Sequence, residues 1–408
     1  MTGDGMVHNP PLPRNYAPDF LELERGQGVY VEDRDGNRYL DFGAGIAVNA
    51  LGYGREDLAK IAYDQMRKII HTSNLYTTRP TVELAQKMTA DGRFAAVHFG
   101  NSGAEANEAA LKYARLYAHR TRGPGHHRLL CLQNAFHGRT MGALSVTPNA
   151  HYQEPFAPLL AGVEVIPFND VEALEKTLDG SFAAVICEVV QGEGGLLSMT
   201  KEFAASLNRQ CRKHEVMLIA DEIQTGMSRT GFFYASESVG LEPDIITLAK
   251  PLAGGLPLSA TLIPAKINNL LSPGDHGTTF GGGPVTTAVA GHVWDLVSAP
   301  DFIAGVRESA TYLREKLETP RRRYPALGPL RGLGLLIGMP VGPDEERGAE
   351  LVPKLLAAAR DERLLLLRSG RNVIRIAPPL VISKSEIDEG IARLEKACGR
   401  FAGALSGN

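Results

Sequence analysis

Several things that would narrow a function quickly are scarce in this sequence. Cysteine is rare and scattered: Cys131, Cys187, Cys211 and Cys398 form no C-x-x-C pair. That argues against a disulfide framework or a metal site and suits a reducing cytoplasm. Neither sign of charge dominates, since 43 Lys and Arg against 46 Asp and Glu leave a formal net charge of −3. No basic cluster with interleaved aromatics occurs, so nothing electrostatic calls for nucleic acid or an acidic membrane as partner. No apolar run approaches the ~18 residues that span a bilayer. The opening "MTGDGMVHNPPLPRNYAP" has prolines and polar residues where a secretory signal would have an apolar core. Internal repeats and long low-complexity linkers are missing too. The expectation is a soluble cytoplasmic protein.

What is present is an ordinary globular composition, 44% hydrophobic and 22% charged over 408 residues, enough for a large core and two domains. "GVYVEDRDGNRYLDF" (28–42) reads as a hairpin turning at Asp35-Gly36. Helical and short apolar segments then alternate: "REDLAKIAYDQMRKII", "AAVHF", "AEANEAALKYARLYAHR", "HRLLCL", "FAAVICE", "KEFAASLNRQCRKH" and "VMLIADE". This alternation predicts an α/β fold, a mainly parallel sheet with helices on both faces. Beyond residue 300 the pattern shifts to "PDFIAGVRESATYLREKLE", "RGLGLLIGMPV", "LLLLRS" and "NVIRIAPPL", then a terminal helix. The expected division is residues 1–50 as an arm and hairpin packing with the small domain, 51–300 as the large domain, and 301–408 as a smaller α+β domain.

One short stretch raises a chemical question. "DIITLAKPLAGGLPLSA" (244–260) holds, after Asp244, one charged side chain, Lys250. A lysine at a strand end can snorkel to solvent. Held partly desolvated before an abrupt "PLAGG" loop, it loses preference for the charged form and can attack a carbonyl carbon. "EVMLIADEIQTGMSRTG" (215–231) brings Asp221 and Glu222 to the carboxyl edge of the sheet, where open α/β folds bind ligands. Each is equally a helix cap or surface charge; functionally, Asp221 can keep a heterocyclic nitrogen protonated. "HFGNSGAEANEAALKYAR" (98–115) passes from strand through a Gly/Ser turn into a helix. Such a turn suits a phosphate, and its spacing is neither the dinucleotide fingerprint nor a P-loop, so a small monophosphate fits better than a nucleotide. In "AFHGRT" (135–140), Phe136 and His137 can stack on an aromatic cofactor and Arg139 can clamp a carboxylate. Singly, Phe136 reads as core and Arg139 as a surface ion.

A phosphate site, a stacking ring, an acid for a ring nitrogen and a nucleophilic lysine are together what pyridoxal 5′-phosphate requires. At this point the chain resembles the class III aminotransferases of fold type I, which include the acetylornithine, ornithine and 4-aminobutyrate enzymes. The resemblance runs from about residue 14 to 397 through "ERGQGVYVEDRDGNRYLDF", "GIAVNALG", "NSGAEANEAA", "FHGRT", "QGEGG", "DEIQTGMSRTG", "LAKPLAGG", "HGTTFGG" and "NVIRIAPPL" in order. It implies that Lys250 carries the cofactor and shuttles the proton, and that Asp221 pairs with the ring nitrogen. It puts Gln224 on the phenolic oxygen, Ser102, Gly103 and Ala104 around the phosphate, and Phe136 over one ring face. Thr279 is expected to reach the phosphate of a neighbouring subunit, which implies a homodimer.

For substrate, the resemblance implies that Arg375 clamps the α-carboxylate of glutamate and that Glu193 pairs with Arg375 when another donor is bound. Arg139 is expected to hold the remote carboxylate, and Tyr16 either to touch an α-carboxylate or to anchor the arm. "HTSNLY" (71–76) leans toward N-acetylornithine as amino donor with 2-oxoglutarate as acceptor, in arginine biosynthesis. Ornithine, succinylornithine and 4-aminobutyrate are the nearest alternatives. An aminomutase or racemase, and a non-catalytic scaffold, are the alternatives from other classes. Two segments depart from the family pattern: "LGYGREDL" replaces a G-H-x-H-P-like run, and "FGGGP" (280–284) replaces F/Y-G-G-N-P.

Overall fold

Three strands open the part of the chain described by the computed structural model, which covers residues 21–400 together with Pro13 and Asn15. They are β1 (Leu23–Gln27), β2 (Tyr30–Asp33) and β3 (Arg38–Asp41), paired antiparallel in sequence order. The β2–β3 turn forms because Asp33 Oδ1 accepts the N–H groups of Asp35 (3.0 Å) and Asn37 (2.8 Å) while Gly36 takes φ +78°. After β3 comes an unusual feature: Ala44, Gly45, Ile46 and Ala47 all lie at positive φ, between +46° and +65°. A left-handed turn costs roughly 1–2 kcal/mol per non-glycine residue. It is closed by Ala47 N–H to Gly43 C=O (2.9 Å) and anchored by Asp41, which accepts from Gly43 N (2.7 Å) and Ala44 N (3.0 Å). The turn delivers Val48 to the wall of the central cavity. The departing "YGRED" segment braces it, since Tyr53 donates to Asp41 Oδ2 at 2.5 Å.

The main sheet contains β4 (Ala96–Gly100), β5 (Arg128–Leu132), β6 (Val163–Ile166), β7 (Phe182–Cys187), β8 (Met217–Asp221), β9 (Ile245–Leu248) and β10 (Ser259–Ile263), in the order β4-β10-β9-β8-β7-β5-β6. Pairings are parallel except that β10 runs antiparallel to both its neighbours. Side chains alternate across it. Leu129, Ala184, Ile186, Met217, Ile219 and Ile245 pack on one face with the helix Gly103–Arg122. Leu130, Val185, Leu218, Ala220, Ile246 and Leu248 face the other way, with Phe203 and Leu207 of the helix Lys201–His214. This period of two decides the site, because Asp221 and Thr247 fall on the face of the helix Gly103–Arg122.

The C-terminal segments form a third sheet. "RGLGLLIGMPV" is two strands, β11 (Arg331–Leu333) and β12 (Leu336–Pro340), hinged at Gly334, where a Cβ would lie 2.4 Å from the Thr230 carbonyl carbon. "LLLLRS" forks. Its first half, β13 (Leu364–Leu365), pairs in parallel with β3; its second half, β14 (Leu367–Ser369), joins β15 (Val373–Ile376) in the order β11-β12-β15-β14. One apolar core accordingly holds Val29, Leu40 and Phe42 together with Leu313, Ile337, Leu355, Ile374 and Leu394. Among the described residues no helix is long and apolar enough to cross a membrane.

Candidate active site

A cavity of about 430 Å³ opens at the carboxyl ends of β8 and β9, lined by Ser102, Gly103, Ala104, Phe136, His137, Arg139, Glu188, Asp221, Gln224 and Lys250 among others. At one end stands the 20-residue helix Gly103–Arg122, capped reciprocally: Ser102 Oγ accepts from Glu105 N (3.3 Å), and the Glu105 carboxylate accepts from Ser102 N (3.2 Å) and Asn101 N. The N–H groups of Gly103 and Ala104 have no acceptor within the helix and remain for an anion. Gly103 is required for space, since a Cβ there would meet Ile223 Cδ1 at 2.8 Å.

Lys250 follows β9 at φ +35°, a left-handed value costly for a side-chain-bearing residue. Burial pushes its ammonium below the ordinary lysine value, against the pull of Asp221 and Glu193 and with the help of Arg375. The strained backbone holds the amine in the cavity rather than in solvent, and burial weakens its preference for the charged form.

Asp221 is buried and its oxygens are bonded on three sides. Oδ2 accepts from His137 Nδ1 (2.7 Å) and Asn107 Nδ2 (2.8 Å), and Oδ1 from Ile223 N (3.1 Å). Asn107 Oδ1 in turn accepts from Thr247 Oγ1 at 2.8 Å. Neighbouring Glu222 points to the opposite face, where Thr225 Oγ1 (2.7 Å), Ser236 N (2.8 Å) and Ala235 N (3.0 Å) donate to it. The cap-like role open to both acids therefore belongs to Glu222. His137, expected as a stacking ring beside Phe136, has a fully buried side chain that lines the cavity and spends Nδ1 on Asp221. Asn107 and Thr247 belong to the site as well; both fall inside segments that the sequence singles out, yet it assigns neither a role there. The strand period puts Thr247 in line with Asp221, but nothing local ties Asn107 to either.

Behind Gln224, loops and β15 bring together a second charged cluster. Arg375, buried, brings Nη1 to Glu193 Oε1 (2.5 Å), Gly192 O (3.0 Å) and Gln224 Oε1 (3.1 Å). Glu193 keeps 34% of its side chain exposed. Glu188, which stands outside every sequence motif of the site, accepts from Phe136 N (3.0 Å) and Gly192 N (3.1 Å). Burial pushes its carboxyl up to about 7, partly opposed by His137. Arg139 lies over the Tyr152 ring at 3.5 Å and 5.6 Å from the Phe136 centroid, and is paired with no carboxylate among the described residues.

Thr279, expected to serve a neighbouring subunit, lies in a separate depression beside Asn74 and Tyr76, on a loop pinned by Asn74 Nδ2 to Thr278 O (2.9 Å) and Gly281 O (3.2 Å). Tyr16 lies outside the described residues.

An anion cradle, a buried carboxylate and a desolvated amine around one cavity fit pyridoxal 5′-phosphate. The family model for class III aminotransferases matches residues 12–398. Acetylornithine aminotransferase of Vibrio vulnificus is 42% identical over 382 residues, 94% of each chain. The enzyme of that name from Neisseria meningitidis is 42% identical over 391 residues, 96% of this chain and 98% of its own. Among solved structures, ornithine aminotransferase from Toxoplasma gondii superposes with TM-score 0.89 at 31% identity, covering 95% of this chain and 91% of its own. N-acetylornithine aminotransferase from Stenotrophomonas maltophilia gives 0.83 at 33%, covering 95% and 98%. With the family model and the fold-type I architecture matched across nearly the whole chain, the protein is a pyridoxal-phosphate-dependent enzyme and belongs to the class III aminotransferases.

Proposed function

We propose that this enzyme transfers the terminal amino group of N-acetylornithine to 2-oxoglutarate, giving the semialdehyde and glutamate, as a cytoplasmic step of arginine biosynthesis. The observation that carries this reading is the state of two arginines, Arg139 in the cavity wall and Arg375 bonded behind Gln224. Arg375 is occupied by Glu193 and Gln224, whereas Arg139 has aromatic neighbours and, among the described residues, no carboxylate partner.

One pocket must take two substrates in opposite senses. A terminal-amine donor leaves its carboxylate far from the reacting nitrogen, so Arg139 holds it while Glu193 neutralises Arg375. Glutamate reacts through its α-amine, so a second carboxylate arrives near that nitrogen and needs Arg375. Glu193, one-third exposed and held through one oxygen, can leave; leaving Arg375 buried without any partner would be costly.

When bound, the cofactor supplies an electron sink that makes the proton beside the reacting nitrogen removable. Ser102, Gly103 and Ala104 would hold its phosphate and Phe136 would cover its ring. Gln224 would meet its phenolic oxygen, and Asp221, held by His137 and Asn107, would keep its ring nitrogen protonated. Lys250 would carry it and move the substrate proton, for which its lowered pKa is suited.

A homodimer completes the reading. Leu75, Tyr76 and Phe280 are exposed at 88%, 73% and 67% beside Thr279, an apolar surface that fits a second copy. Thr279 then serves the phosphate of the partner. The test mixes purified enzyme with N-acetylornithine, ornithine, succinylornithine, 4-aminobutyrate and glutamate singly, following conversion to the pyridoxamine form. N-acetylornithine and glutamate are expected to convert it; no conversion by either overturns the assignment. Product formed without a 2-oxo acid would mark an isomerase.

A further inference from the structure

We propose that Glu188 is a positioning residue for substrate selection: its single carboxylate fixes the peptide from which Glu193 swings and, with the same group, the backbone that carries Phe136. This rests on the reading of Glu193 as the element that trades Arg375 between substrates.

The sequence puts Glu188 immediately after β7, all six of whose residues are buried. A carboxyl left there is costly unless its oxygens are bonded. Each oxygen takes one backbone N–H from a different loop: Oε2 from Phe136 at 3.0 Å and Oε1 from Gly192 at 3.1 Å. Phe136 lies on the loop after β5, Gly192 on the loop after β7. Burial raises the Glu188 carboxyl to about 7, against the opposing pull of His137 and, less, of those two bonds.

Gly192 is held from every side. Its N–H is taken by Glu188, and its carbonyl accepts from Arg375 Nη1 (3.0 Å) and Ser369 Oγ (2.8 Å). Gln224 packs so closely that a Cβ on Gly192 would lie 2.4 Å from its Nε2. The next residue differs: among the described residues the Glu193 side chain has one hydrogen-bond partner, Arg375. A clamped peptide followed by a loosely held side chain is a fixed pivot with a movable arm. Because Glu188 sets the pivot, it decides how well Glu193 shields Arg375, and therefore how the enzyme divides its activity between a terminal-amine donor and glutamate.

The test uses the full-length, cofactor-loaded enzyme carrying Glu188→Gln. The amide offers one acceptor in place of two, so one tether is lost. Rate constants for the N-acetylornithine and glutamate half-reactions are measured by single-turnover absorbance. Losing one charge-assisted tether should shift their ratio about tenfold against N-acetylornithine. Amide hydrogen exchange in the peptide spanning residues 189–196 should speed up in the same variant. In a Glu193→Ala background Glu188→Gln should leave the ratio where Glu193→Ala alone put it. Equal slowing of both half-reactions, unchanged exchange, or a ratio shift that persists without Glu193 overturns the proposal. If Glu188→Gln does not fold, Glu188→Asp, too short to bridge both loops, carries the same test. Failure of the wild-type enzyme with both substrates would instead count against the proposed function.

Discussion

The two charged clusters of this site are built on different principles. Asp221 ends β8, its partner Asn107 stands in the first turns of a helix, and Thr247, which bonds Asn107, stands on β9; Ile223 donates from the turn after β8. His137 sits on a loop, but its ring is buried. Around Arg375, which itself stands on β15, the partners come from loops and a strand end: Gly192 and Glu193 after β7, and Ser369, bonded to Gly192, at the end of β14. The first cluster is closed and multiply bonded; the second includes a carboxylate one-third exposed with, among the described residues, one hydrogen-bond partner. A group that does the same task for every substrate can be immobilised. A group that must serve two substrates in turn needs a low-cost way to leave.

That contrast is breakable by experiment. Asp221→Ala should slow both half-reactions about 10²–10⁴-fold and by the same factor, since it acts on the step both share. A large difference between the two, seen in single turnovers, would deny the fixed cluster its common role. Arg375→Ala should slow the glutamate half-reaction about 10²-fold, because truncating one partner of a buried, hydrogen-bonded charge pair costs about 2–5 kcal/mol. The N-acetylornithine half-reaction should suffer much less, and a comparison of the two rate constants checks this. Asn107→Ala strips bonds from Asp221, the His137 carbonyl and Thr247 at once. It should destabilise the fold by about 1–3 kcal/mol in urea titration and lower both half-reactions alike. The smallest effect is expected at the "FGGGP" departure. Gly283 occupies the N-cap of the helix Pro284–Ser298 with no side-chain cap bond, and a Cβ there would meet nothing closer than 3.4 Å. Gly283→Asn should therefore raise stability by roughly a few tenths of a kcal/mol and leave the half-reaction ratio unchanged.

The fixed part of the site is largely legible in the amino-acid sequence alone. Lys250 and Asp221 each terminate an apolar strand, and a charge in that place is a local signal. The Gly/Ser turn before a helix at 101–104 is local as well. Asn107 and Glu188 are not legible in the same way, because what they do depends on partners far along the chain: Asn107 bonds Asp221 across 114 residues and Glu188 bonds Phe136 across 52. The neighbouring Phe136 suggests stacking for His137, yet Asp221, 84 residues on, claims its Nδ1. Arg375 and Glu193, 182 residues apart, are paired in the sequence only through resemblance to a family. "RGLGLLIGMPV" and "LLLLRS" show the same limit in the fold. Each reads as one apolar run, but Gly334 bends the first into a hairpin and the second divides its strand between two sheets.

By itself, the amino-acid sequence determined which segments become strands and helices and where the reactive side chains leave them, because periodicity, turn residues and strand ends act over a few neighbours. Only the tertiary structure decided which of two adjacent acids faces the cavity, which histidine nitrogen meets it, and which loops Glu188 ties together. Those outcomes depend on sheet register and on bonds closed between distant segments, whose free energies exist only once the chain has folded.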